Sequence, residues 1–249
     1  MNAYKQWHTE NPIVFNSEQN VYFSQCTKNK TLSINELLKI TSDLAVEDFN
    51  QRGISREKML ENNFMILVSR NSFHFHKMPV ENQHITVSTW EEKNEPLQFI
   101  RAYEIKDTRT EEKLVSGLSS WLLVSAKERK LLPVKLFNLR QPVEYESEHE
   151  CLKLMKIPEK ENMEFIGEHK IGFSDLDANG HTNNSRYAAF LFDALPQEFQ
   201  NKNFKDFRIN YSKEAMIGET VKLYAAFEEN KITVVGKTNS VSFESELYF

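Results

Sequence analysis

The sequence predicts an α+β chain in which one pattern runs twice: an antiparallel sheet wrapped around a single long helix. Three observations carry this reading. Strand-like alternation dominates the chain and is interrupted once in each half by a stretch of helical spacing. Phe is abundant, at 18 residues, and Gly scarce, at seven, which favours Phe-packed layers over a glycine-loop nucleotide fold. Residues of the two halves also match at one offset: Phe23 with Phe173, Ser24 with Ser174, Asn29 with Asn179, Asp43 with Asp193 and Phe49 with Phe199.

In chain order, residues 14–24 read as a strand pair or one bent strand. Ser33 is placed as a helix N-cap, with Glu36 three residues on completing a capping box. Ile34, Leu37, Leu38, Ile40, Leu44, Ala45 and Phe49 follow at helical spacing, and Gly53 stops the helix. Strands are expected at 64–75, 84–92, 97–105 and 113–124, separated by turns that carry Pro79, Asn82, Asn94 and Pro96. Trp90 and Trp121 lie on these strands and are read as core packing. The charged, weakly patterned stretch 144–162 reads as a connection. A strand at 165–173 and a helix to Leu195 follow, then strands at 204–211, 220–227, 231–237 and 240–249. This element order is the layering called a hotdog, here doubled. The expected division is a first half over 1–148, a linker over 149–159 and a second half over 160–249. A further match, Met78 with Met216 and Glu81 with Glu219, holds at a shorter offset.

The composition narrows the function. Hydrophobic residues make up 40% and charged residues 27% of 249, an ordinary globular profile. No apolar run is long enough to span a bilayer, and residues 1–8 lack a signal core, so a cytoplasmic location is expected. Two distant cysteines, Cys26 and Cys151, argue against a disulfide framework or a thiolate zinc site. The net charge of −5 argues against broad nucleic-acid binding. Lys127, Arg129 and Lys130 form a local basic cluster, read first as a solvated turn and second as a docking patch.

Chemistry concentrates at Asp175, Asp177, Asn179 and His181, four polar side chains at alternate positions ahead of an apolar helix. Asp175-x-Asp177-x-Asn179-Gly180 imitates the start of a calcium loop, but the twelfth position is Arg186, whose charge opposes a cation. His74 and His76 share a strand face without an evident third zinc ligand. The remaining readings of the run are a helix cap and a catalytic loop. Its counterparts in the first half are Thr27, Asn29 and Thr31, so a catalytic site is expected in the second half alone.

Asp175-Leu-Asp-Ala-Asn-Gly-His-Thr-Asn-Asn184, then Arg186-Tyr187, resembles the signature of plant and bacterial acyl-ACP thioesterases. Trp90, Ser119-Ser120-Trp121, Lys127-Glu128-Arg129-Lys130-Leu131 and Tyr211-Ser-Lys-Glu214-Ala215 are similar to further family blocks. The resemblance implies two fused hotdog domains that hydrolyse acyl-ACP thioesters, with Asp177, Asn179, His181 and Glu214 as the catalytic set. Ala215 stands where the family often has Cys, which excludes a thiol nucleophile there. A thioester is already activated, so a water or carboxylate nucleophile is sufficient: Glu214 would act as general base or attack directly, with His181 orienting it. Asn179 would hold the water or carbonyl, and Asp177 would fix Asn179 and His181. Backbone N–H groups near Thr182, Asn183 and Asn184 would receive the oxyanion. No cofactor or metal is expected. The expected partner is an acyl carrier protein bearing its acyl chain on 4'-phosphopantetheine, and a homodimer is allowed. The alternatives are an acyl-CoA thioesterase and a non-catalytic acyl-binding module.

Overall fold

Antiparallel pairing runs without a break through both halves of the chain. The computed structural model describes residues 5–10 and 12–249; residues 1–4, part of the N-terminal stretch read above, lie outside them. The first half holds β1 (Gln6–Thr9), β2 (Val14–Asn20), α1 (Ile34–Gln51), α2 (Arg56–Glu61), β3 (Phe64–Phe75), β4 (His84–Glu95), β5 (Gln98–Asp107), β6 (Lys113–Ser125) and β7 (Leu131–Leu132). The second holds β8 (Glu164–Lys170), α3 (Asn184–Ala194), α4 (Gln197–Gln200), β9 (Asp206–Tyr211), β10 (Thr220–Glu228), β11 (Lys231–Lys237) and β12 (Val241–Tyr248). The fold is the expected doubled α+β layering, with one refinement. The two sheets are joined edge to edge by β3 and β9, giving the order β1-β2-β4-β5-β6-β3-β9-β12-β11-β10-β8.

One face of this sheet carries both helices. Alternation on β3 and β9 turns Phe73, Phe75, Phe207 and Ile209 towards them. α1 answers with Leu37, Leu38, Leu44 and Ala45, and α3 with Tyr187, Ala188, Phe190 and Leu191, in one continuous core. The helices also pack against each other. Gly53, at φ 74°, ends the turn after α1, where a side chain would be strained.

The opposite face is polar and is crossed by the connection between the halves. Ser147 and His149 hydrogen-bond Glu92 at 2.6 and 2.8 Å, Glu150 meets His76 at 3.0 Å, and Ile157 is fully buried. The stretch read as a linker is therefore a strap fastened along the sheet. His74 and His76 do share a face, and each is held by its own carboxylate, His74 by Asp206 at 2.8 Å.

Some expectations change. β1, α2 and α4 carry too few residues for a periodicity to show. Ser33 is the N-cap of α1, but the capping box does not form: its hydroxyl donates to the Gln25 carbonyl at 3.0 Å, and Glu36 pairs with Lys39. The shorter-offset match is also re-registered. Val80 N–H donates to the Gln83 side chain at 3.0 Å as Met216 N–H does to Glu219 at 2.7 Å. Val21 N–H likewise meets the Gln83 carbonyl at 2.9 Å, as Ile171 N–H meets that of Glu219 at 2.8 Å. Val80 thus corresponds to Met216, and Met78 to Glu214.

Candidate active site

The loop before α3 is built on one carboxylate. Asp177 N–H donates to the His181 carbonyl at 2.8 Å, and Gly180 N–H to the Asp177 carbonyl at 3.0 Å, with Gly180 at φ 79°. The Asp177 side chain accepts the N–H of Asn179 at 2.8 Å and of His181 at 3.1 Å, an Asx-type turn. Asp177 therefore fixes the backbone from which Asn179 and His181 project. The Asn179 amide nitrogen lies 3.4 Å from Asp177, and its oxygen accepts from the Arg56 guanidinium at 2.6 Å.

Glu214, just past β9, approaches the His181 side chain. His181 Nε2 is 3.6 Å from Glu214 Oε2, with the imidazole 19% and the carboxylate 49% exposed. That gap is too long for a direct hydrogen bond and short enough for one bridging water. Glu214 is placed through its neighbour Ala215, which is fully buried. The Ala215 N–H donates to the Tyr187 hydroxyl at 2.9 Å, and the Thr182 hydroxyl donates to the Ala215 carbonyl at 2.5 Å.

The other members of the polar run are structural. Asp175 is buried and binds Arg186 at 2.9 Å, His169 at 2.8 Å and the Gly172 N–H at 2.9 Å. Burial pushes its carboxyl up, but the Gly172 amide, His169 and Arg186 outweigh burial and hold it below the usual range. Arg186, which opposes a cation in the sequence, is thus the internal counter-ion of the run. Asn183 caps α3, accepting from Ser185 N–H, and its own N–H is taken by the Asp175 carbonyl at 2.8 Å. Asn183 therefore leaves the oxyanion set, and Thr182 and Asn184 remain as backbone candidates.

The first half repeats the loop with other side chains. Thr27 N–H donates to the Thr31 carbonyl at 2.8 Å, Lys30 N–H to the Thr27 carbonyl at 2.9 Å, and the bridges Cys26–Leu32 and Leu176–Thr182 match. Thr27 and Thr31 replace Asp177 and His181 on one scaffold, and Met78 takes the place of Glu214.

Beside the live loop is a largely apolar cavity of about 90 Å³, lined by Ala45, Val46, Phe49, Met59, Ile66, Phe99 and Trp121, with Arg56 among the wall residues. Glu91 and Arg101 also line it. They belong to a buried ion network in which Arg101 binds Asp48 at 2.8 Å while Arg52 and Arg140 each reach Glu91 at 2.9 Å. Burial raises the Asp48 carboxyl, but Arg101 and Arg52 more than reverse this and keep it low. A second cavity of about 380 Å³ lies between the silent loop and the end of α3.

Two family profiles match the chain, the acyl-ACP thioesterase N-terminal domain over residues 12–136 and its C-terminal domain over 158–247. The chain belongs to the acyl-ACP thioesterase family. It is 22% identical to the chloroplastic acyl-[acyl-carrier-protein] hydrolase FATB2 of Cuphea viscosissima, over 81% of this chain and 52% of that one. It is 23% identical to the chloroplastic oleoyl-acyl carrier protein thioesterase 2 of Arabidopsis thaliana, over 78% and 57%. The chain thus spans about half the length of the curated relatives it matches. An acyl-ACP thioesterase from Bacteroides thetaiotaomicron has the same fold, with a TM-score of 0.86 and 22% identity over 95% of this chain and 97% of that one. So does the 12:0-ACP thioesterase from Umbellularia californica, with a TM-score of 0.80 and 16% identity over 94% and 96%.

Within this thioesterase family member, Arg56 is the site residue that sequence reading missed. It sits on a six-residue helix with no motif of its own, and only the folded chain brings it to Asn179. The set of acid, imidazole and amide around one open space can deprotonate a water, hold a carbonyl oxygen and return a proton.

Proposed function

We propose that this chain hydrolyses acyl thioesters carried on acyl carrier protein, releasing the fatty acid and terminating chain extension. The observation that carries the reading is the convergence of His181 and Glu214, 3.6 Å apart, on a loop whose copy has Thr31 and Met78 instead. A helix cap needs neither group, and an acyl-binding module has no use for a base. We read residues 1–148 and 160–249 as the two hotdog halves and 149–159 as their link, with one active site per chain.

In this mechanism a water bridges the gap between Glu214 and His181. Glu214 takes its proton as oxygen adds to the thioester carbon. The second N–H of the Asn179 amide, the one not directed at Asp177, donates to the developing oxyanion together with a backbone N–H of Thr182 or Asn184. The C–S bond then breaks, and the proton held between Glu214 and His181 passes to the leaving pantetheine thiolate. Asp177 acts by shaping the loop. The acyl chain lies in the cavity walled by Phe49, Met59 and Phe99, which shares Arg56 with the catalytic loop.

A release assay over acyl-ACPs and acyl-CoAs of graded length tests the reading, with Glu214→Ala and His181→Ala beside the parent. The expected loss in kcat is ~10²–10⁴-fold for each. Undiminished turnover in both variants overturns the site. A parent inactive on every thioester favours the binding module, and equal turnover of CoA and ACP substrates favours the acyl-CoA reading.

A further inference from the structure

The first half contributes a basic rim to the mouth of the candidate site. Arg56, the first residue of α2, reaches Asn179 at 2.6 Å, so α2 borders the catalytic loop. At its other end the chain turns through Asn63, whose side-chain oxygen accepts the Lys127 N–H at 2.9 Å. The Asn63 carbonyl accepts the Ala126 N–H at 3.1 Å, and its side-chain amide donates to Ser125 at 3.1 Å. The turn between β6 and β7 is therefore fastened to α2. Arg129, at φ 58°, gives that turn a left-handed corner.

The exposed cationic and apolar side chains of this strip are Arg56, Lys58, Leu60, Lys127, Arg129, Lys130 and Leu131. None of its five cations takes part in an ion pair among the described residues, whereas Lys5, Lys77, Lys160 and Lys237 each do. The strip also carries Glu57, Glu61 and Glu128, the last bound to Ser125, so five positive charges face three negative ones in a chain of net charge −5. The helix that follows α3 at the silent mouth, α4, has the sequence Gln-Glu-Phe-Gln and no cation. The cations at that mouth, Lys28 and Lys202, come from the repeated loop and from the segment after α4.

Resting on the hydrolase reading above, we propose that α2 and the β6–β7 turn form the docking surface for an acidic carrier protein. A net negative chain repels an acidic partner at long range, so encounter is decided by local cations. The pantetheine arm must also start from a surface next to Glu214, and this strip is hydrogen-bonded to the catalytic loop. Leu60 and Leu131, 38% and 47% exposed, supply apolar contact between the charges.

The test compares one acyl group on carrier protein and on free pantetheine, in the parent and in a variant combining Lys58→Glu, Lys127→Glu, Arg129→Glu and Lys130→Glu. We expect KM for the carrier-protein substrate to rise by about tenfold or more and to lose much of its salt dependence, with kcat/KM on acyl-pantetheine unchanged. A second variant, Lys170→Glu with Lys222→Glu, reverses cations across the mouth near the exposed Phe173 and is expected to keep the parental KM. An unchanged KM in the first variant, a rise only in the second, or an equal fall on both substrates each overturns the docking surface. Arg129→Glu alone repeats the test should the fourfold variant fail to fold. A parent that hydrolyses neither substrate refutes the hydrolase reading instead, and affinity for the carrier-protein substrate, measured directly, then reads docking by itself.

Discussion

At the scale of single residues, the site depends on groups that never touch a substrate. Ala215 is held on both sides, by Tyr187 at its N–H and by Thr182 at its carbonyl, and Glu214 inherits its position from this clamp. Tyr187→Phe and Thr182→Val are therefore expected to lower kcat by ~10–100-fold, because small misplacements of a catalytic group are costly, while KM stays near parental. Steady-state kinetics beside a thermal melt check this; a fall in melting temperature with unchanged kcat counts against it. Asp177, Asn179, His181 and Glu214 stand out as candidates in the sequence because a thioester needs a base, an orienting imidazole and hydrogen-bond donors, and the fold brings His181 and Glu214 to 3.6 Å. Arg56 was not legible, since its role depends on where a short helix of the other half comes to lie.

At the scale of elements, Asp175 anchors the catalytic loop to β8 and α3 through His169 and Arg186. Its carboxyl is held below the ordinary value, so its contribution is fully present above about pH 4 and is lost as pH falls through the lower folded-state value. Asp175→Asn should remove that acid-side loss and destabilise the chain at neutral pH; melts from pH 3 to 7 would show whether the two curves converge at low pH. Each half also buries a Gly under a cross-strand Phe. A Cβ at Gly117 would come within 2.3 Å of Phe73, and one at Gly236 within 2.1 Å of Phe243. Gly117→Ala and Gly236→Ala should each cost about 1–3 kcal/mol through overpacking, measured by denaturant unfolding. The long strands and α1 were readable from their periods. β1 and α2 were not, because four and six residues hold too little pattern. The Ser33–Glu36 capping box failed for a tertiary reason: Gln25, at the base of the silent loop, takes the Ser33 hydroxyl.

Across the whole molecule, the seam between β3 and β9 makes one sheet of two, with Phe73 opposite Phe207 within it. Composition and spacing predicted the doubling but carried no signal for which edges would join. The strap on the outer face was equally hidden: it read only as a charged connection, and several of its charges are paired to the sheet. Cys151 belongs to this strap and is buried against the sheet, and burial pushes its thiol up to about 12. It should resist thiol reagents in the native protein and react only as the strap lifts, so its labelling rate along a denaturant series is expected to track global unfolding. Labelling well before the main transition would show that the strap opens independently.

The paired loops, one with His181 and one with Thr31, have a consequence for traffic through the molecule. Two equal mouths would let a carrier settle at either with no preference, and each visit to the wrong one would stall a substrate that is not being released. On the proposed reading, an acid and imidazole at one copy alone, with the docking strip beside it, give the molecule a front and a back. Under that proposal arrival has a single productive direction, and the repeated loop of the first half, around Thr27 and Thr31, can change its sequence without changing the reaction.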